Sequence, residues 1–198
     1  MDGVVVSAIE WAIKRGYEKY TLGRLYRVLE RVAEEGIKEE DLTKNEEKFA
    51  TFVRMVRALE QCSSNEVTDY IAKAMIGIVK SEDDVKSPDY AQMAISALNG
   101  VVEVEIKILV EMHNSNLYID ENGKLPSPEK RKRYVENTCK KLSLSEARLG
   151  ALVNGMLRTG LVTPPGSNYG GAYAQNTNVL SPLARDLFDY IYYKNKLY

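Results

Sequence analysis

The chain has 198 residues, 44% of them hydrophobic and 28% charged, and a formal net charge of −1. That balance is ordinary for a globular protein and excludes collagen-like, low-complexity and strongly basic chains. Two cysteines, Cys62 and Cys139, stand far apart with no C-x-x-C pair, which reads as free thiols in a reducing cytoplasm.

The opening stretch MDGVVVSAIEWAIKRGYEKY begins with an acid and regains charge at Glu10, Lys14 and Arg15. It reads as neither a signal peptide nor a membrane span, which needs about 20 apolar residues. The expected location is the cytoplasm. Leu22, Leu25, Leu29, Val32 and Ala33 then form a helical stripe, followed by a second from Phe49, Phe52, Val53, Val56 and Leu59. Val67, Ile71, Ala74, Met75 and Ile78 give a third, and Tyr90, Met93, Ala94, Ala97 and Leu98 a fourth.

Helix starts are marked chemically as well. Ser87-Pro88, Ser127-Pro128 and Ser181-Pro182 each pair a capping hydroxyl with a proline suited to the first helical position. Thr43 with Glu46, Ser63 with Glu66 and Ser143 with Glu146 have capping-box spacing. VVEVEIKILVEMHN alternates like a strand, but Val101, Val104/Glu105, Ile108 and Met112 also fit a helix, the preferred reading. A turn-rich gap, NSNLYIDENGKLPSP, precedes two close helices at about 128–142 and 144–159. After Gly160 the period shortens: 161–163 and 178–180 read as two strands around a long loop, and a last helix starts at Pro182.

Two segments in that region, LSLSEARLGALVNGMLRTGLV and NVLSPLARDLFDYI, resemble the winged helix-turn-helix superfamily over roughly residues 98–191. With the helical stripes before it the chain reads as mostly α with a helical domain at 1–97, and the resemblance implies a winged-helix module at 98–198 with a short β-hairpin wing and a C-terminal helix. It also implies a non-enzymatic DNA-binding regulator of bacterial or phage type, needing no cofactor. The helical half followed by such a module loosely resembles bacterial and phage proteins, several of them linked to abortive infection. That second likeness implies instead a protein-interaction adaptor or defence component.

The charge distribution bears on this choice. Residues 1–99 carry 14 bases against 18 acids, whereas 124–158 hold nine bases against three acids. On helix 128–142 the expected inward residues are Val135, Cys139 and Leu142, leaving Lys130, Arg133, Asn137, Lys140 and Lys141 for DNA phosphates or for solvent. On helix 144–159 the expected inward residues are Leu149, Leu152, Val153 and Met156. Its other side offers Arg148, Asn154 and Arg158 as base or phosphate contacts, among Ala147, Gly150, Ala151 and Gly155. Gly150 and Ala151 suit equally a helix packed closely on that face. The loop residues Asn168, Tyr169, Tyr173, Gln175 and Asn176 include no base, so the wing by itself is a poor DNA probe.

The single histidine, His113, excludes a His-pair metal site and is expected to flank a helix end as a protonated imidazole. No catalytic constellation or phosphate-binding loop is spaced correctly. Tyr190, Tyr192, Tyr193 and Tyr198, with Trp11 and Val4–Val6 at the other terminus, suggest a homodimer or protein interface, for which Tyr190 and Tyr193 are the candidates.

Overall fold

The computed structural model describes residues 2–62, 64–81, 88–120, 124–164 and 178–193, with side chains from residue 16 onward except 17 and 88. Among them lie nine α-helices: α1 (Asp2–Glu34), α2 (Glu39–Thr43), α3 (Glu46–Gln61), α4 (Asn65–Lys80), α5 (Pro88–Ser96), α6 (Glu103–Asn114), α7 (Pro128–Leu142), α8 (Glu146–Gly155) and α9 (Pro182–Ile191). A 3₁₀ turn, Met156–Thr159, extends α8. Two short strands, β1 (Val162–Thr163) and β2 (Val179–Leu180), pair antiparallel. The chain is thus mostly helical with a small two-stranded sheet, and no described helix is long and apolar enough to cross a membrane.

The caps explain the boundaries. Ser127 and Ser181 accept from the backbone N–H groups of Lys130 and Ala184, both at 3.2 Å, as the Ser-Pro spacing requires. Ser87 and Ser63 lie outside the described residues. The three expected capping boxes are displaced. Asn45, Ser64 and Ser145 are the capping residues of α3, α4 and α8. Thr43 instead bonds back to the Glu39 carbonyl, and Ser143 is a left-handed residue (φ 54°) that ends α7. Each helix starts two residues later than expected at Thr43 and Ser143, so Glu46 and Glu146 open α3 and α8 and meet the positive dipole end directly.

The helix at VVEVEIKILVEMHN forms because its apolar set closes on one side: Ile106, Ile108, Leu109 and Met112 are buried. Elsewhere several inward faces are rotated from their expected positions. In α1 Val32 is buried as expected but is joined by Val28 while Leu22 is 48% exposed, and in α3 the expected Leu59 is joined by Met55 and Ala58 while Phe49 is 51% exposed. In α5, Ala91 and Ile95 turn inward with Ala94, leaving Tyr90 and Met93 outside.

α4 is the central element, buried from Ile71 to Val79 except for Lys73. It packs on α1, α3, α5, α6 and α9. The α9 contact is backbone to backbone: a Cβ at Gly77 would lie 2.6 Å from the Tyr190 carbonyl carbon and nearer still to its oxygen. Only glycine permits that approach. Leu187, Phe188 and Ile191 of α9 fill the space around it, and the Tyr193 hydroxyl donates to the Lys80 carbonyl at 2.9 Å. The closing helix is therefore seated in the helical half as well as on its own hairpin.

The gap after α6 contains one structured contact that turn chemistry alone does not announce. Tyr118 bridges to Leu180, and the Leu180 N–H donates to the Leu117 carbonyl at 2.8 Å, placing a third segment beside the hairpin. Beside it, His113 bonds through Nδ1 to the Tyr118 hydroxyl at 2.8 Å and stacks on Phe188 (4.3 Å) and Tyr192 (5.2 Å). Burial lowers the imidazole's pKa, with Asp189 opposing. The histidine stands in the last turn of α6 as expected, but aromatic packing desolvates the ring and disfavours the protonated form expected there.

Two outcomes follow. Gly77→Ala should lower unfolding free energy by about 2 kcal/mol or more in urea titrations, despite alanine's better helix propensity, because the clash is with backbone. For His113, the unfolded chain protonates first, near pH ~6.5, while the folded ring resists. Its contribution is complete above about pH 7 and is lost as pH falls through that value toward the lower folded one. The urea midpoint should therefore drop more between about pH 7.5 and 5.5 in the wild type than in His113→Phe.

Candidate nucleic-acid interface

α7 and α8 form the surface on which the sequence places its basic residues. Ser127 and Pro128 start α7, and Tyr134 and Thr138 are its fully buried positions. Val135, Cys139 and Leu142, expected at the centre of the inward face, are only half-buried at its edge. The rotation is about one residue, and burial raises the Cys139 thiol pKa, leaving it a packing group. Arg133, Asn137, Lys140 and Lys141 are exposed as expected, whereas Lys130 is half-buried.

Ser143 turns the chain in a left-handed conformation, and the Leu144 N–H returns to the Cys139 carbonyl at 3.0 Å. This tight link sets α8 directly beside α7. Leu149, Val153 and Met156 are buried as expected, with Leu152 half-buried. Gly150 is buried too, and with Tyr134, Leu149 and Val153 it lines a void of about 20 Å³. Its assignment to the outer interface face is corrected: it lies on the buried side of α8. The outer face of α8 holds Glu146, Ala147, Arg148, Ala151, Asn154 and Gly155, all exposed. α8 packs chiefly on α6 and α7, and among the described residues its outer-face side chains are exposed.

The candidate contact residues divide by what they already hold. Arg133, Lys140 and Arg148 are exposed without an ion pair among the described residues. Lys141, 63% exposed, pairs with Glu111 of α6. The Asn154 amide oxygen accepts from Asn178 Nδ2 at 2.6 Å, tying α8 to the base of the hairpin. Arg158 is 47% exposed but already paired within the chain. Its guanidinium forms a two-pronged pair with Glu105 (2.8 and 2.7 Å) and donates to the carbonyls of Gly155 (2.7 Å) and Gly100 (3.1 Å). Glu105 is buried and raises the arginine's pKa further, so Arg158, expected as a DNA contact, also clamps the 3₁₀ turn to the start of α6. A lone helical-face projection misses this, although Glu105 also receives the Val102 N–H at 3.1 Å and so fits a capping spacing visible in VVEVE.

The tyrosine candidates are likewise engaged within the chain. Tyr190 is half-buried with its backbone over Gly77, and Tyr193 is bonded to Lys80. Ala151 alone of the four interface candidates is fully on the surface. The expected loop contacts between 165 and 177, and the Trp11, Val4–Val6 and Tyr198 side chains, lie outside the described residues. No group of three or more His, Cys, Asp and Glu side chains among the described residues converges as a metal ion requires. Neither protein-family models nor curated proteins nor solved structures give a match to the chain.

Arg158→Ala leaves the buried Glu105 side chain with the Val102 N–H as its remaining partner among the described residues, a loss of about 1–3 kcal/mol after allowance for the arginine's exposure. Arg158→Lys should recover only part of it, since one ammonium cannot reproduce the fork. Paired urea titrations of the two variants measure both effects.

Proposed function

We propose that the chain is a non-enzymatic DNA-binding regulator of winged-helix type that grips duplex phosphates with α7 and the outer face of α8. The observation that carries this reading is the exposed outer face of α8, which presents Arg148 and Asn154. The order of elements supports it. A helix, a bridging segment at Tyr118, two helices joined by a tight turn, a hairpin and a closing helix occur in sequence from α6 to α9. Ala147 and Gly155 keep the helix surface low, so a phosphate backbone approaches it closely, while Arg133 and Lys140 on α7 supply charge. Base reading is sparse: Asn154 is shared with Asn178, leaving Arg148 as the main long polar side chain. Affinity in this scheme is dominated by phosphates and depends strongly on salt.

A second reading, as a protein-interaction adaptor or self-associating protein, draws on the same face. Ala147, Ala151 and Gly155, with Leu157 39% exposed, form a low, partly apolar surface suited to a partner helix.

Fluorescence anisotropy with a random duplex separates them. The DNA reading predicts binding at about 50 mM salt with a log–log salt slope near −3, from about three phosphates neutralised by Arg133, Lys140 and Arg148. Arg133→Glu/Lys140→Glu should bring that slope to about −1 or abolish binding. Lack of binding at about 50 mM salt contradicts the DNA reading and favours the adaptor.

A further inference from the structure

A second concave surface lies at the other end of the chain's charge pattern, between α1 and the start of α4. Gly16, Lys19, Gly23, Arg24, Arg27 and Asn65, with the Tyr20 ring, line a cleft of about 480 Å³. Its described lining contains three cations and no acid. Acids at the start of α4 are directed elsewhere, Glu66 to Lys107 (3.1 Å) and Asp69 to Arg31 (2.8 Å). Asn65 opens α4 after the Ser64 cap, so the positive end of a 16-residue helix borders the cleft.

Arg24 is the decisive residue. Only 6% of it is exposed, yet no carboxylate pairs with it among the described residues, and its Nη1 is buried without a hydrogen-bond partner. Nη2 donates to the Tyr20 hydroxyl, and the guanidinium lies 3.7 Å over that ring. A buried cation needs an anionic partner, and a guanidinium is shaped for two oxygens of a phosphate. Gly16 and Gly23 are seven residues apart on one helix face, and a Cβ at either would meet nothing within 4 Å, so open space adjoins both.

We propose that this cleft binds the phosphate group of a small phosphorylated molecule from solution. Arg24 holds two phosphate oxygens once Tyr20, itself 48% exposed, swings its hydroxyl aside. Lys19 and Arg27 balance the remaining charge, and Asn65 brings the positive end of α4 to the cleft's edge. The site is separate from the α7–α8 surface and stands whether or not that surface binds DNA.

Thermal unfolding in about 20 mM inorganic phosphate, against chloride at equal ionic strength, tests this; the expected rise in midpoint is about 3 °C or more. Two variants control for phosphate's general stabilising effect as an excluded salt. Lys19→Gln/Arg27→Gln removes charge at exposed positions, and Gly23→Leu fills the cleft with every charge kept; both should fold and lose most of the rise. An equal rise in wild type and both variants, or no rise in the wild type, overturns the proposal. Co-sedimentation with phosphatidate-containing vesicles without any response to inorganic phosphate overturns the assignment to a soluble ligand.

Discussion

The contact between Gly77 and the Tyr190 carbonyl decides how the rest of the chain is arranged. Two helix backbones meet there with no side chain between them, within a helix buried along most of its length. α9 therefore has its position set from the helical half. From α9 the constraint passes to the hairpin through Ser181, whose hydroxyl caps the helix and donates to the Gly160 carbonyl at 2.6 Å. It passes to α6 through the stack of Phe188 and Tyr192 on His113. Arg158 and Glu105 complete the circuit by fixing the end of α8 to the beginning of α6.

This internal commitment shapes what the surface has left to offer. Cations that look equivalent in the sequence are not equivalent in the fold. Arg158 stabilises a buried carboxylate, Lys141 reaches across to Glu111, and Arg133, Lys140 and Arg148 remain on the outside. In the proposed DNA reading, the low outer face of α8 suits a phosphate backbone better than the discrimination of bases. The α1–α4 cleft shows the converse arrangement, with a cation buried and its carboxylate neighbours turned to other partners.

Much of the architecture was legible because it rests on local chemistry. Ser127-Pro128 and Ser181-Pro182 mark α7 and α9 to the residue, and the switch of period after Gly160 places both strands. The helix at 103–114 was legible from spacing despite its β-branched residues. What escaped depends on distant partners. Which of Leu22 or Val28 turns inward is settled by where α4 lies, and Gly150 looks like an outer-face residue until α7 is packed beside it. Gly77 gives no local sign of its role, because the carbonyl it accommodates is more than a hundred residues away. Arg24 did leave a trace: it sits one residue before Leu25 and four before Val28, within an otherwise apolar stripe.

If Gly77 and Tyr190 join the two parts of the chain, the α4 and α9 cores open together. Native-state hydrogen exchange at increasing urea measures this directly. Protected amides of α4 and α9 should converge on one opening free energy with the same urea dependence, and Gly77→Ala should lower both alike. Exchange of α9 through a separate opening of lower energy, with α4 unaffected, would contradict it.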